Sequence, residues 1–107
     1  MAIYEMRTYD VVVGQMGTVQ QLYKDEGYPA LEKGGFSKNL IGYFVGDIGA
    51  MNQLVHIWKF EDPNDRDAFW KRVFADDAFM AFAGKLRPNV KNQQNKLLTA
   101  APWGSHP

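Results

Sequence analysis

The sequence predicts an α+β fold of the ferredoxin-like type: a split βαβ arrangement with an antiparallel four-stranded sheet. Three observations carry this. Strand-like stretches fall at residues 3–10, 38–46, 53–60 and 92–99. Apolar residues at helical spacing fill the two long intervals, after the first stretch and after the third. The middle two stretches are joined by residues 47–52, a short connection with a glycine that suits a hairpin. The resulting order is strand, helix, strand, strand, helix, strand.

In the first strand Ile3, Glu5, Arg7 and Tyr9 point one way and Tyr4, Met6 and Thr8 the other. Residues 11–13 can extend it, and Gly14 and Gly17 mark a turn. Met16, Val19, Leu22 and Tyr23 then repeat at helical spacing, opposite Gln20, Gln21 and Lys24. Pro29 lacks an N–H and disfavours helix at Tyr28, so a kink or break is expected at Gly27, Tyr28 and Pro29. Gly34 and Gly35 end this unit.

After the hairpin, Asp62 reads as an N-cap, with Pro63 at the first helical position and Asp65 in the first turn. Phe69, Trp70, Val73 and Phe74 form an apolar stripe. Asp76 and Asp77 read as a second cap, ahead of Phe79, Phe82, Ala83 and Leu86. Arg87 and Pro88 stop that helix. The fourth strand is rich in Asn and Gln, poor strand formers. Residues 100–107 read as a tail.

A chain of 107 residues fits one domain, 1–107. At this size roughly 65% of the unfolded surface can be buried, enough for one core. Aromatic residues make up 14% of the chain, too many for so small a core to hide, so some should line a pocket or an interface. The net charge is zero, which argues against nucleic-acid binding. Without cysteine there is no disulfide, thiolate nucleophile or Cys-type metal site. No apolar run approaches the roughly 20 residues of a membrane span. The N-terminus enters strand alternation without a signal-peptide pattern, so a cytoplasmic, bacterial-type location is the expectation.

Right-handed crossovers put both helical units on one face of the sheet. Val55 and Ile57, compact aliphatics of the third strand, suit packing under the helices. Glu5, Arg7, Tyr9, His56, Trp58 and Phe60 are then expected together on the helix-free face. Charged and aromatic side chains mixed in this way fit an enclosed polar cavity between two sheets packed face to face.

Several segments resemble the NIPSNAP family: YEMRTY at residues 4–9, Gly42-Tyr43-Phe44, IGAMNQLVHIW at 48–58 with Glu61 and Asp62 after it, Arg87-Pro88, and Ala101, Pro102 and Trp103. The match runs over nearly the whole chain. The resemblance implies a dimeric α+β barrel, in which a ferredoxin-like protomer packs its sheet on its partner's as a homodimer. It implies no defined reaction. Eukaryotic members are associated with mitochondria and vesicle transport, roles not expected of this chain, which shows no transit-peptide pattern. Related barrels include haem-dependent and cofactor-free oxygenases, an analogy of fold only.

His56 is the sharpest candidate, as a catalytic base or as a haem or metal ligand. The competing reading is a buried histidine held by Glu5, Arg7 or Asn52. Spacing offers no second ligand, and His106 lies in the tail, so no metal site is expected. Glu5 and Arg7 either bind an anionic or carbonyl substrate or form a buried or dimer-crossing ion pair. Tyr9, Tyr28, Tyr43, Phe44, Trp58 and Phe60 either line a pocket for an apolar ligand or pack the core and interface. Asn52 either donates into the cavity or holds a turn. Arg87 is a clamp at the cavity mouth or a helix C-terminal charge. The amides at residues 92–95 contact ligand or decorate an edge strand, and the aspartates at 62, 65, 67, 76 and 77 serve as caps and first-turn charges.

Two functions follow. In one, the cavity binds a small apolar, partly aromatic or carbonyl compound, with an enzymatic version as a cofactor-free oxygenase or isomerase. In the other, the protein is a non-catalytic interaction or scaffold protein, and the same residues serve only dimerisation. The sequence indicates no cofactor.

Overall fold

The structure, a computed structural model, describes residues 2–107. Strand β1 (Ile3–Val11) leads into helix α1 (Met16–Leu22), a π-helical turn (Tyr23–Gly27) and helix α2 (Tyr28–Lys33). Strands β2 (Leu40–Val45) and β3 (Gln53–Phe60) follow, then helices α3 (Pro63–Phe74) and α4 (Asp77–Leu86) and strand β4 (Val90–Thr99). The sheet order is β2-β3-β1-β4 and every neighbouring pair is antiparallel. This is the ferredoxin-like arrangement. No helix among the described residues is long and apolar enough to cross a membrane.

Local chemistry explains the helix ends. Asp62 accepts a hydrogen bond from the Asp65 N–H at 2.7 Å, and Asp76 accepts from the Phe79 N–H at 2.9 Å, so both act as N-caps. Arg87-Pro88-Asn89 tightens into a 3-10 turn that ends α4. Around Pro29 the chain widens instead of breaking. The Tyr28 N–H bonds the Tyr23 carbonyl five residues back, which leaves Pro29, without a donor, at the start of α2. Gly27 is required there because a Cβ would lie 2.6 Å from the ring of Phe82.

Two strand starts differ from expectation. Residues Phe36–Asn39 coil into a 3-10 turn, so β2 begins at Leu40. Strand β4 begins earlier, at Val90, and pairs with β1 along its length, with a shift of register between Asp10 and Val11. Its Asn and Gln residues are tolerated because pairing and an exposed edge override propensity. Asn52 sits at φ +60° in the β2–β3 connection, a turn conformation that suits asparagine.

The expected face assignment is corrected by the structure. The register sets Glu5 opposite Trp58, Arg7 opposite His56 and Ile3 opposite Phe60, so the mixed polar and aromatic residues do share one face. It is the helix-covered face, because the core cluster joins Trp58 and Phe60 to Leu31 of α2 and to Phe69, Trp70 and Val73 of α3. A second cluster joins Leu54 to Val19 of α1 and to Phe82 and Leu86 of α4. The reason is chemical. Bulky rings in β3 meet bulky rings of α3, and α3 supplies the donors that the buried Glu5 needs. Val55, Ile57 and Lys59 alternate to the open face, where they are half-buried. No sheet-to-sheet contact is therefore needed to enclose the polar residues, which are buried within one protomer.

Candidate functional site

A buried carboxylate organises the site. Glu5, fully buried, accepts from Arg7 Nη1 at 2.9 Å, from Arg66 Nε at 2.6 Å and from Trp70 Nε1 at 2.8 Å. Arg66 and Trp70 lie one helical turn apart on α3, so both reach the same carboxylate. Burial alone would raise the Glu5 pKa. The hydrogen bonds from Arg66 and Trp70 and the charges of Arg7 and Arg66 outweigh it and hold the carboxyl below its ordinary range. With one glutamate and two arginines, the cluster carries a net positive charge.

Arg7 is buried, its guanidinium carbon 4.4 Å from the centre of the Trp70 ring. Among the described residues its Nε has no hydrogen-bond partner. Across the strand pair lies His56, 2% exposed, with Tyr43 stacked on it at 4.5 Å and Tyr9 edge-on at 4.8 Å. Trp58 Nε1 donates to His56 Nδ1 at 2.7 Å. An indole N–H can only donate, so Nδ1 carries a lone pair and the proton of the neutral ring sits on Nε2. That Nε2 is buried and has no partner among the described residues. Burial, and then the charge of Arg7, lower the His56 pKa from 6.5 to about 3, so the ring is neutral at physiological pH.

The bond from Trp58 engages the nitrogen that His56 would need in order to act as a base. Its one basic lone pair is occupied, and its free nitrogen is a donor. Coordination of haem or a metal through Nε2 would move the proton to Nδ1, against the Trp58 N–H. The residues present therefore do not fit a His56-ligated haem or metal ion. Among the described residues no group of three His, Asp or Glu side chains could hold a metal ion.

Beside Arg7 a cavity of about 460 Å³ opens between the sheet and α4. Arg7 and Tyr9 of β1, Tyr23 of the π-helical turn, Phe79 and Leu86 of α4, and Gln93 of β4 line it. Arg87, exposed after α4, stands at its rim. A second hollow of about 610 Å³ lies along β2, with Tyr28 and Tyr43 in its wall, and Tyr23 borders both. Burial and the neighbouring Tyr43 and Tyr9 push the Tyr23 pKa well up, and burial does the same to Tyr43, so both phenols stay protonated.

Of the residues singled out in the sequence, Arg7 and Tyr9 line the cavity. Glu5 is not among the lining residues, and its oxygens accept from Arg7, Arg66 and Trp70. Trp58 and Phe60 are packed in the core, each 1% exposed. Asn52 holds its turn, where its carbonyl accepts from the Val11 N–H at 2.7 Å. Phe44 is on the open face and exposed. Arg66, which completes the Glu5 cluster, and Tyr23, which walls the cavity, carried no site signal in the sequence. Arg66 has one in retrospect: it lies four residues before Trp70 on the buried stripe of α3.

Comparison with known proteins places these observations. No curated protein matches the chain. A NIPSNAP family protein with unknown function from Agrobacterium tumefaciens is 31% identical, with a TM-score of 0.88 over 96% of this chain and 91% of that one. An uncharacterised NIPSNAP-like domain protein from Burkholderia xenovorans is 30% identical, with a TM-score of 0.88 over 98% of this chain and 90% of that one. An antibiotic biosynthesis monooxygenase shares the fold alone, at 16% identity and a TM-score of 0.64 over 94% of this chain and 99% of that one. The NIPSNAP family profile matches residues 4–105, nearly the whole chain, and the chain belongs to the NIPSNAP family.

Proposed function

We propose that this protein binds a small, partly aromatic or carbonyl compound in the cavity between sheet and helices, and that it does so as a homodimer joined through its open sheet faces. The observation that carries the reading is the buried Arg7 Nε, without a hydrogen-bond partner among the described residues, on a side chain that lines a cavity of about 460 Å³; His56 Nε2 is likewise unpartnered but His56 is not among the lining residues. Buried polar atoms without partners are rare in folded proteins, and each calls for an explanation such as a functional role, an ordered water or an ion. The apolar walls, Phe79 and Leu86, suit the body of such a compound.

The dimer reading rests on the open face. Met6 lies opposite Ile57 and Phe44 opposite Val55 there, and Phe44 is 54% exposed in the single chain. An apolar sheet face of this kind calls for a cover. A binding role is favoured over proton abstraction by His56, whose lone pair is occupied by Trp58.

Native mass spectrometry of gently purified protein tests both parts. The expected result is a dimer carrying extra mass that is lost on collisional activation. A monomer removes the homodimer reading. If the protein stays bare after incubation with a library of aromatic acids, ketones and alcohols, the binding reading fails.

A further inference from the structure

The cavity is charged on one side only. Arg7 stands at its depth and Arg87 and Lys91 at its rim, and no Asp or Glu lines it, although the chain as a whole is neutral. Two carboxylates bonded to lining residues, Glu5 and Asp10, are engaged by other groups as well. Glu5 is held by Arg7, Arg66 and Trp70. Asp10 accepts from the Gln53 amide at 3.0 Å and from the Asn92 amide at 3.2 Å. We infer that the cavity selects an anion: a small aromatic or unsaturated carboxylate whose oxygens meet the Arg7 guanidinium. The inference rests on the binding reading above and gives it a ligand charge.

The geometry of Arg7 supports this choice over a neutral carbonyl compound. Glu5 engages only Nη1, and the buried Nε has no partner among the described residues, so the Glu5 contact leaves the rest of the planar guanidinium unpaired. A planar fork of paired N–H donors matches a carboxylate better than it matches a single carbonyl oxygen. Arg7 is 7% exposed, and in surroundings so poor in water its charge is weakly screened and an anion gains more there than at a surface. The hydroxyl of Tyr9 stands on the same wall, while the Tyr23 hydroxyl is engaged with Tyr43. The rim cations Arg87 and Lys91 raise the local concentration of anions at the mouth. A cationic ligand would face three like charges with no carboxylate to receive it.

Isothermal titration of the full chain with three isosteric probes tests the inference: 2-naphthoate, 2-naphthamide and 2-naphthylmethylamine. The carboxylate is expected to bind at least about tenfold tighter than the amide, and the amine not to bind measurably. Arg7→Met should erase the preference. Should that variant not fold, Arg87→Gln at the exposed rim should weaken the carboxylate severalfold and leave the amide unchanged. Equal affinity for carboxylate and amide, or tightest binding of the amine, overturns anion selection while the cavity stands as a binding site. Binding of none of the three overturns the cavity reading itself, and this inference with it.

Discussion

Trp58 donates its indole N–H to Nδ1 of His56 at 2.7 Å, and this one bond fixes what the imidazole can do. The two residues lie two positions apart on β3, so both point under the helices and their rings meet edge to face at 5.9 Å. The ring is left with a proton on Nε2 and no free lone pair. Nitrogen-15 NMR of the imidazole should therefore report the Nε2–H tautomer alone. In Trp58→Phe the buried Nδ1 loses its donor and the core loses part of a ring. The expected loss is about 2–4 kcal/mol, read from denaturant midpoints. A neutral substitution, or the opposite tautomer in the parent protein, would mean that the bond does not form in solution.

The depressed pKa of His56 predicts how stability follows pH. The folded protein keeps this ring neutral down to about pH 3, whereas the unfolded chain takes up a proton near pH 6.5. The unfolded state then binds more protons, so the contribution of His56 is fully present above pH 6.5 and is lost as pH falls from there toward 3. The slope approaches about 1.4 kcal/mol per pH unit from this one group. Glu5 acts in a lower window. Its pKa is held below 4.5, so the stability it supplies is lost only below that value. In His56→Asn the amide oxygen takes the place of Nδ1, and the stability curve should flatten between pH 6.5 and 5. An unchanged slope there would assign the pH dependence to another group.

Those two residues also show what was legible in the sequence and what was not. Strand, hairpin and cap signals are local, and Asp62, Asp76 and the 53–60 strand stand where their own chemistry puts them. Period-two alternation correctly set Glu5, Arg7, Tyr9, His56, Trp58 and Phe60 on one face. Alternation says nothing of which face the helices cover. The preference for compact Val55 and Ile57 beneath them reversed the answer, because the decisive partners, Arg66 and Trp70, are more than sixty residues away from Glu5. Tyr23 was invisible as a wall residue for a related reason. It reads as one apolar position of an ordinary helix, and its place between two hollows comes from the π-helical turn and its contacts with Tyr43 and Phe82.

The Glu5 cluster predicts unequal costs for its members. Glu5→Gln keeps the shape and removes the only negative charge that Arg7 and Arg66 share. It leaves a buried guanidinium uncompensated, for which about 3–5 kcal/mol is expected. Arg66 is different, because a quarter of its side chain is exposed, at 25%, and Glu5 retains Arg7 and Trp70 when it is removed. Arg66→Met should cost about 1–2 kcal/mol, since a hydrogen bond to a charged group is lost without stranding a buried cation. Urea melts of both variants decide the point. Equal losses would mean that Glu5 is held chiefly by Arg66 and that Arg7 is supported from elsewhere.

The open face predicts a separation of assembly from folding. Ile57 lies opposite Met6 on the side of the sheet away from the helices, and it is half-buried in the single chain. Its side chain has no part in the two core clusters. Ile57→Glu should therefore leave the protomer folded, with near-parental circular dichroism. In a face-to-face dimer it would bring two like charges together in a desolvated interface. That costs several kcal/mol, enough to convert a micromolar or tighter dimer to monomer. Light scattering coupled to size exclusion should show a halved mass in the variant. A parental mass would move the interface to the edge strands or the helical layer, and an unfolded variant would give Ile57 a role within the protomer.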